Sequence, residues 1–471
     1  MDEQKKAGHD ITEYQQATLS RHIDWKGAFV IGLAGTILVT GVTGPVVAAL
    51  GSAAIPQFII TTLLGLVLCL ILAELAAMFP DRAGGAPAYV YPAFMKWPKL
   101  AKHLNGATAW AYWLGWNPVL AVNNLLVATY LNALLKPFGY EFNEFLLGAI
   151  LSVALYIIAY MGIRPGAVAG IVLAALCAIP LVVIGVAPFL FKPEMLHWEN
   201  LIPINVLGDP IFSSTGWALF MQFAFLTFWN AIAMEAAACY IAECSNPGKD
   251  APKAMIAEGL LGVFIYTMVP LSFLLVLGYK TIAQDPYAMF VDFINPIFGQ
   301  VGVWVVTVML LSALLLSSLN AIMGSARSLY QMSLDGQTLR AFGKVNKHNV
   351  PAIAMALNVV LNIGLMYLGN PAYVMVASNV GYLISFVPVL IGYWMLRNDH
   401  PEFARPFRLP EWFKYLSLFT AAIFFIVWAW GGPLWSWEYY GLGWAIMLCY
   451  IPFYLYRVYV SDRKFAKSQL P

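Results

Sequence analysis

Between residues 26 and 459 the chain returns repeatedly to apolar runs about as long as a bilayer is thick, and this recurrence limits the fold more than any other feature. A helix needs about 20 largely apolar residues to cross the hydrocarbon. Such runs fall at 26–50, 53–79, 104–135, 143–162, 167–191, 214–244, 253–278, 300–332, 352–370, 372–396, 413–432 and 437–459. They predict an all-α integral membrane protein of twelve transmembrane helices. Only 11% of the residues are charged, against about 25% in a soluble domain. No basic stripe stands clear of the apolar runs, so nucleic acid is not an expected partner.

Positive charge orients the segments. With the N-terminus in the cytoplasm and strict alternation, the outer side holds only Lys136, Lys192 and Lys280 of the 26 Lys and Arg residues. That asymmetry is the one expected of loops retained inside, and it places both termini in the cytoplasm. The first 24 residues lack an apolar core with a cleavage site and read as part of a cytoplasmic tail rather than a signal peptide. The longest connections, 80–103 and 192–213, are too short for a soluble domain, so function is expected inside the helix bundle. The five cysteines lie in or at the ends of apolar runs and read as small core residues. The six histidines lie in loops, tails or helix ends, which leaves no expected metal site within the membrane.

Two of the segments carry signs of interruption. The first reads VIGLAGTILVTGVTGPVV, with several glycines and Pro45. Proline lacks an amide hydrogen and glycine weakens a helix. The same glycines also suit close helix packing. The sixth segment contains TFWNAIAMEAAA at 227–238, with Asn230 before a run of small residues and an acid at Glu235. These residues do not by themselves force a break. Interruptions at matching places in two halves nonetheless point to a transporter site between inverted repeats, and an ionisable side chain within a span marks a site by default.

Four further pieces carry a resemblance. AELAAMFPDRAGGAPAYVYPAF (73–94), AECSNPGKDAPKAM (242–255), GSARSLYQMSLDG (324–336) and RPFRLP (405–410) occur in order between the segments. Each has local logic: Asn246-Pro247 stops one helix and Pro252 starts the next. Together they resemble the amino acid–polyamine–organocation superfamily of permeases over nearly the whole chain. The resemblance implies a five-plus-five inverted repeat with two added C-terminal helices, helices one and six broken, and transport by alternating access. On that plan, 1–25 is a cytoplasmic tail, 26–191 the first repeat, 192–213 an extracellular connection, 214–396 the second repeat, 397–459 the added pair and 460–471 a second tail.

In the arginine/agmatine antiporter branch, helix six holds a tryptophan, a short unwound segment and a glutamate. TFWNAIAME is similar to that arrangement, which implies that Trp229 covers the substrate and Glu235 couples its movement to the gate or to a proton. Arg327 and Asp335 sit where they could pair across an inner gate; plain positive-inside topology accounts for Arg327 equally well. Two departures stand out. The first helix has TILVTGVTGP where many members have a glycine-small-glycine-isoleucine run, and helix five lacks the lysine that some proton-coupled members carry. Exchange, another proton site, or sodium held by Ser317 and Ser318 therefore stay open.

The expected substrate groups are Thr40, Gly41, Val42, Thr43 and Gly44 of helix one, Asn117 and Asn123 of helix three, Trp229, Asn230, Ala231 and Ile232 of helix six, and Ser318 and Asn320 of helix eight. Helix-one amides suit a carboxylate and unwound carbonyls suit an ammonium. With Glu235 as the one acid read near mid-membrane, a neutral zwitterion or a monoamine is expected. The coupling species is a proton or a counter-substrate, and the surrounding partners are membrane lipids. No cofactor, no metal and no catalytic residue is expected. A bacterial inner membrane is the expected location. Trp110, Trp113 and Trp116 repeat every three residues, as either a pocket wall or a packing face. An intramembrane enzyme would need a nucleophile–base pair or metal ligands at depth, and a channel would need repeated filter elements; the sequence offers neither. A transporter-like sensor that binds without sustained flux remains open.

Overall fold

The computed structural model describes residues 19–135, 139–286, 289–367 and 371–462. Lys136 and most of both terminal tails lie outside the described residues. Within them the chain is helical, with only isolated bridges of extended backbone. Eight stretches are long and apolar enough to cross a membrane, and Glu144–Tyr160 and Ala352–Met366 are shorter apolar helices.

The N-terminal end starts with α1 (Trp25–Thr36), whose first turn is capped by the Asp24 carboxylate accepting from the Lys26 and Gly27 amides. α2 (Val39–Leu50) and α3 (Ala54–Met78) follow. Then come α4 (Pro98–Trp116), α5 (Val119–Leu135), α6 (Glu144–Tyr160) and α7 (Ile163–Phe191). α8 (Ser214–Ala231) runs into a 3-10 segment, Ile232–Glu243. α9 (Pro247–Gln284) and α10 (Met289–Leu334) each bend at a glycine of positive φ, Gly278 and Gly299, so each is two helices joined at a kink. α11 (Ala352–Met366), α12 (Pro371–Asp399), α13 (Phe413–Ile426), α14 (Trp437–Leu448) and α15 (Tyr450–Tyr456) complete the bundle.

Many outward side chains are apolar, Ile60, Val168, Ile179 and Phe419 among them. Polar side chains instead turn inward and meet partners. Trp113 Nε1 donates to Asn358 Oδ1 at 2.9 Å, and Asn124 Nδ2 donates to Ser152 Oγ at 2.8 Å. This inversion follows from the solvent: in hydrocarbon, polar groups must find partners within the protein.

The sequence motifs converge at one end of the bundle. Glu74 meets Arg397 at 2.5 Å and Arg405 at 3.2 Å, and accepts from the Leu409 amide at 2.9 Å. Arg82 pairs with Asp335 at 2.6 Å. Glu243 pairs with Arg327, both fully buried. Gly84 and Gly85 make the turn between these pieces with φ of 95° and 77°. The segment before α1 seals the same end: the Ile23 and His22 amides donate to the Glu243 carbonyl at 3.2 and 3.0 Å.

Candidate functional site

The helical geometry changes at both expected places, as a turn in the first segment and as a tightening without unwinding in the sixth, and the two places touch. α1 ends at Thr36, the chain turns through Ile37 and Leu38, and α2 starts at Val39. α8 ends at Ala231 and the backbone tightens into twelve residues of 3-10 helix. Runs of that geometry beyond three or four residues are uncommon and often mark a hinge or strain. The two meet at Gly35, where an added Cβ would lie 1.9 Å from the Ala233 carbonyl oxygen. Only glycine allows that approach.

The first interruption lies earlier than the sequence suggested. Thr40, Gly41, Val42, Thr43 and Gly44 fall in the opening turns of α2, and Pro45 sits inside that helix. The physical reason is tertiary. Gly32 and Gly35 press α1 onto the 3-10 segment and the backbone turns directly after that contact. Pro45 is then absorbed locally, bringing no N–H to the Gly41 carbonyl one turn before it. Among the described residues no neighbouring atom comes within 4 Å of where a Gly41 Cβ would stand, so this face of α2 is open to them. Thr40 is partly exposed, whereas Gly44 abuts the Pro286 carbonyl. The turn's polar groups are largely met inside the protein. The Gly35 carbonyl accepts from the Tyr266 hydroxyl at 3.3 Å, and the Thr40 and Gly41 amides donate to Ile37 and Leu38.

Glu235 is fully buried in the first turn of the 3-10 segment. It accepts from the Tyr382 hydroxyl at 2.8 Å, the Tyr112 hydroxyl at 2.9 Å and Trp116 Nε1 at 3.2 Å. Its donors thus come from α4 and α12. Trp229, one turn before the interruption, is buried and donates from Nε1 to the Gly115 carbonyl at 3.2 Å. Further along, the Tyr240 hydroxyl donates to Asn320 Oδ1 at 2.5 Å, and Arg327 stacks over the Tyr240 ring at 4.8 Å. The 3-10 segment is therefore tied to α4, α10 and α12 by three polar residues, Glu235, Tyr240 and Glu243.

Several expected substrate groups are occupied by other helices. Asn117 Oδ1 accepts from Asn362, Asn123 donates to the Leu314 carbonyl, and Ser318 donates to Asn124. By contrast Thr36 Oγ1, Asn230 Nδ2 and Ser317 Oγ are buried with no hydrogen-bond partner among the described residues. Ala231 and Ile232 are buried at the second interruption itself. Arg327 and Asp335 do not pair with each other: Arg327 takes Glu243 and Asp335 takes Arg82, with Gln331 Nε2 adding a bond to Asp335 at 3.0 Å. Two turns of α10 carry them to different partners. The three tryptophans of α4 likewise divide. Trp110 serves the Ile446 carbonyl, Trp113 serves Asn358, and only Trp116 reaches the acid.

Sequence reasoning missed Tyr112, Tyr382, Thr36 and a second buried acid, Glu258. Tyr112 had a signal, because it lies one turn from Trp116 on the same face and a buried tyrosine hydroxyl needs a partner. Glu258 had one too, as an acid inside an apolar run.

With this geometry in place, relatives can be compared. A family model described as amino acid permease matches residues 23–454, and the chain belongs to that family, one of permeases rather than enzymes. The aromatic amino acid permease FywP of Lactococcus lactis is 26% identical over 394 residues, which cover 76% of this chain and 80% of that protein. The polyamine transporter RMV1 of Arabidopsis thaliana is 25% identical over 72% of this chain and 66% of its own length. Among the curated relatives matched, coverage falls as low as 41% of the relative. The fold is shared with a manganese transporter of Eremococcus coleocola, with a TM-score of 0.60 at 12% identity over 96% of this chain and 98% of that one.

Proposed function

We propose that this protein is a secondary transporter that moves an amino acid or organic amine across a membrane by alternating access. The observation that carries this reading is the contact between two interrupted helices, Gly35 against Ala233, flanked by Trp229 and Glu235. The reading takes the fold as twelve passes. The 54-residue stretch Trp25–Met78 supplies two, and α4 with α5, the two shorter helices and the seven remaining apolar stretches supply ten. Residues 26–191 and 214–396 form the inverted repeats, 192–213 connects them outside, and 397–459 adds the last pair. The ion-paired, sealed end faces the cytoplasm with both termini, and a bacterial inner membrane is the location. Opening that end requires parting Glu243 from Arg327 and Asp335 from Arg82, which makes these pairs the inner gate.

A neutral zwitterion or a monoamine fits best. The unpartnered groups Thr36, Asn230 and Ser317 are neutral, and Trp229 offers an aromatic cover. Glu235 provides one negative charge for an ammonium. Coupling is to a proton, as symport, or to a counter-substrate. The second acid keeps a polyamine permease as the alternative reading, and RMV1 is a relative that carries polyamines by name.

Thermal-shift screening of the purified protein against amino acids and amines selects a ligand, since binding to the folded state raises Tm. Counterflow of that ligand, labelled, in liposomes then tests the function. A ligand that binds without exchanging identifies a sensor and defeats the proposal. Competition of uptake by putrescine or glutamate more strongly than by leucine defeats the neutral-substrate reading.

A further inference from the structure

Glu258 lies on α9, fully buried, and neither of its carboxyl oxygens has a hydrogen-bond partner among the described residues. Its seat is made by Gly32 of α1. A Cβ there would lie 2.5 Å from Oε2, 2.8 Å from Oε1 and 2.7 Å from the Ala237 amide nitrogen. The carboxyl is thus lodged where α1 meets the 3-10 segment, beside the Ala237 amide but without a well-formed bond to it. The titratable groups around it are Cys69 from α3 and Glu235, Cys239 and Tyr240 from the 3-10 segment. α1 presents Gly32 there, and among the described residues no basic side chain pairs with the acid.

An ionised carboxyl without a counter-charge or donor is costly to bury. A second ionised carboxyl, Glu235 on the adjoining 3-10 segment, adds repulsion to that cost. The two acids are not equivalent. Glu235 accepts from three side-chain donors, as an acceptor-only carboxylate requires, whereas Glu258 has only the poorly aligned Ala237 amide beside it. A bound cation is a poor occupant of the Glu258 seat, because hard cations take several oxygen ligands and the neighbouring polar group is an N–H.

We propose that Glu258 is the proton-binding site of the transport cycle. It holds a proton on its carboxyl in the closed arrangement seen here. It gives that proton to water when α1 and the 3-10 segment part and solvent reaches it. The proton enters from water on one side of the membrane and leaves to water on the other, while Glu235 stays ionised. The pair carries one negative charge in the loaded state and two in the unloaded state. This inference deepens the transport reading and rests on it for its role in the cycle, but the proton itself can be seen independently.

Infrared difference spectroscopy of the full-length protein in lipid reads the C=O stretch of a protonated buried carboxyl without any substrate. The band is expected in the native protein and in Glu235→Gln, and is expected to vanish in Glu258→Gln. Should Glu258→Gln fail to fold, Glu258→Asp keeps the carboxyl and must shift the band. A band unchanged by substitution at 258 overturns the proposal. In liposomes, with leucine and putrescine as probes, one proton carried per substrate supports about tenfold accumulation per imposed pH unit. Glu258→Gln should lose that accumulation relative to its own counterflow, and retention of native pH-driven accumulation overturns the proposal. If the native protein shows no counterflow with any ligand found by thermal shift, the transport reading fails while the infrared result still decides where the proton sits.

Discussion

The middle and the ion-paired end of this bundle are held together by different chemistry. At the ion-paired end, buried or half-buried pairs join elements far apart in the chain: Glu74 with Arg397 and Arg405, Arg82 with Asp335, Glu243 with Arg327. In the middle, the interrupted helices meet through glycine-to-backbone contact, neutral hydrogen bonds and one carboxylate in an aromatic cage. Ion pairs between buried partners are all-or-none contacts, since a separated partner is left charged and unmet. Glycine contacts and hydroxyl bonds can be exchanged for a ligand or water at little cost. The contrast teaches that the end is fastened like a latch, by contacts costly to part, while the middle rests on contacts that exchange cheaply.

The largest expected effect is at the latch. Arg327→Ala leaves Glu243 buried without its partner and should lower stability by roughly 3–5 kcal/mol, visible as a large fall in Tm and in yield of monodisperse protein. A Tm close to native would mean that the end is not held by this pair. Next comes the contact between the interruptions. Gly35→Ala forces a methyl group onto the Ala233 carbonyl and should cost about 1–3 kcal/mol through overpacking. Gly41→Ala, with open space around it, should stay within about 0.5 kcal/mol of native. Equal Tm values for the two variants would break the claim that the interruptions are packed at Gly35 and open at Gly41.

Trp229→Ala sharpens the same contrast on the binding side. If Trp229 covers the ligand as proposed, its removal leaves the ion pairs intact and should weaken ligand affinity about tenfold, or roughly 1.4 kcal/mol, with Tm changed far less than by Arg327→Ala. Titration of the thermal-shift ligand measures it. The smallest effect belongs to the loop before α13. Glu411 there is held below the ordinary carboxylate range, first by its hydrogen bond from Arg408. Its folded-state value is depressed, so its contribution is present above the unfolded value and is lost as pH falls through the folded one. Because the side chain is exposed, Glu411→Gln should flatten the acid limb of the Tm–pH curve only slightly.

Parts of this architecture were legible before any coordinates. The apolar runs, the acid at 235 and the motifs around Glu74, Arg82, Glu243 and Arg327 are written locally, because span length and helix stops depend on neighbouring residues alone. The region of the first interruption is legible but its exact position is not: Pro45 announces itself in sequence, while the turn at Ile37 and Leu38, at the start of the TILVTGVTGP run, is set by how closely Gly32 and Gly35 let α1 approach its neighbour. The expected substrate groups were hard to place from sequence for a similar reason. Asn117, Asn123, Ser318 and Asn320 are polar residues in apolar helices, and whether such a residue faces a ligand or another helix depends on the helix's rotation within the bundle.

By itself, then, the sequence determined that this chain is a multi-pass helical membrane protein with an acid and a weak point in its sixth apolar run, since those properties are sums over adjacent residues. Only the tertiary structure decided which charges meet, that Arg327 takes Glu243 and leaves Asp335 to Arg82, and that Glu258 joins Glu235 beside the interruption. Partner choice depends on the azimuth and crossing of helices hundreds of residues apart, and no local pattern carries that information.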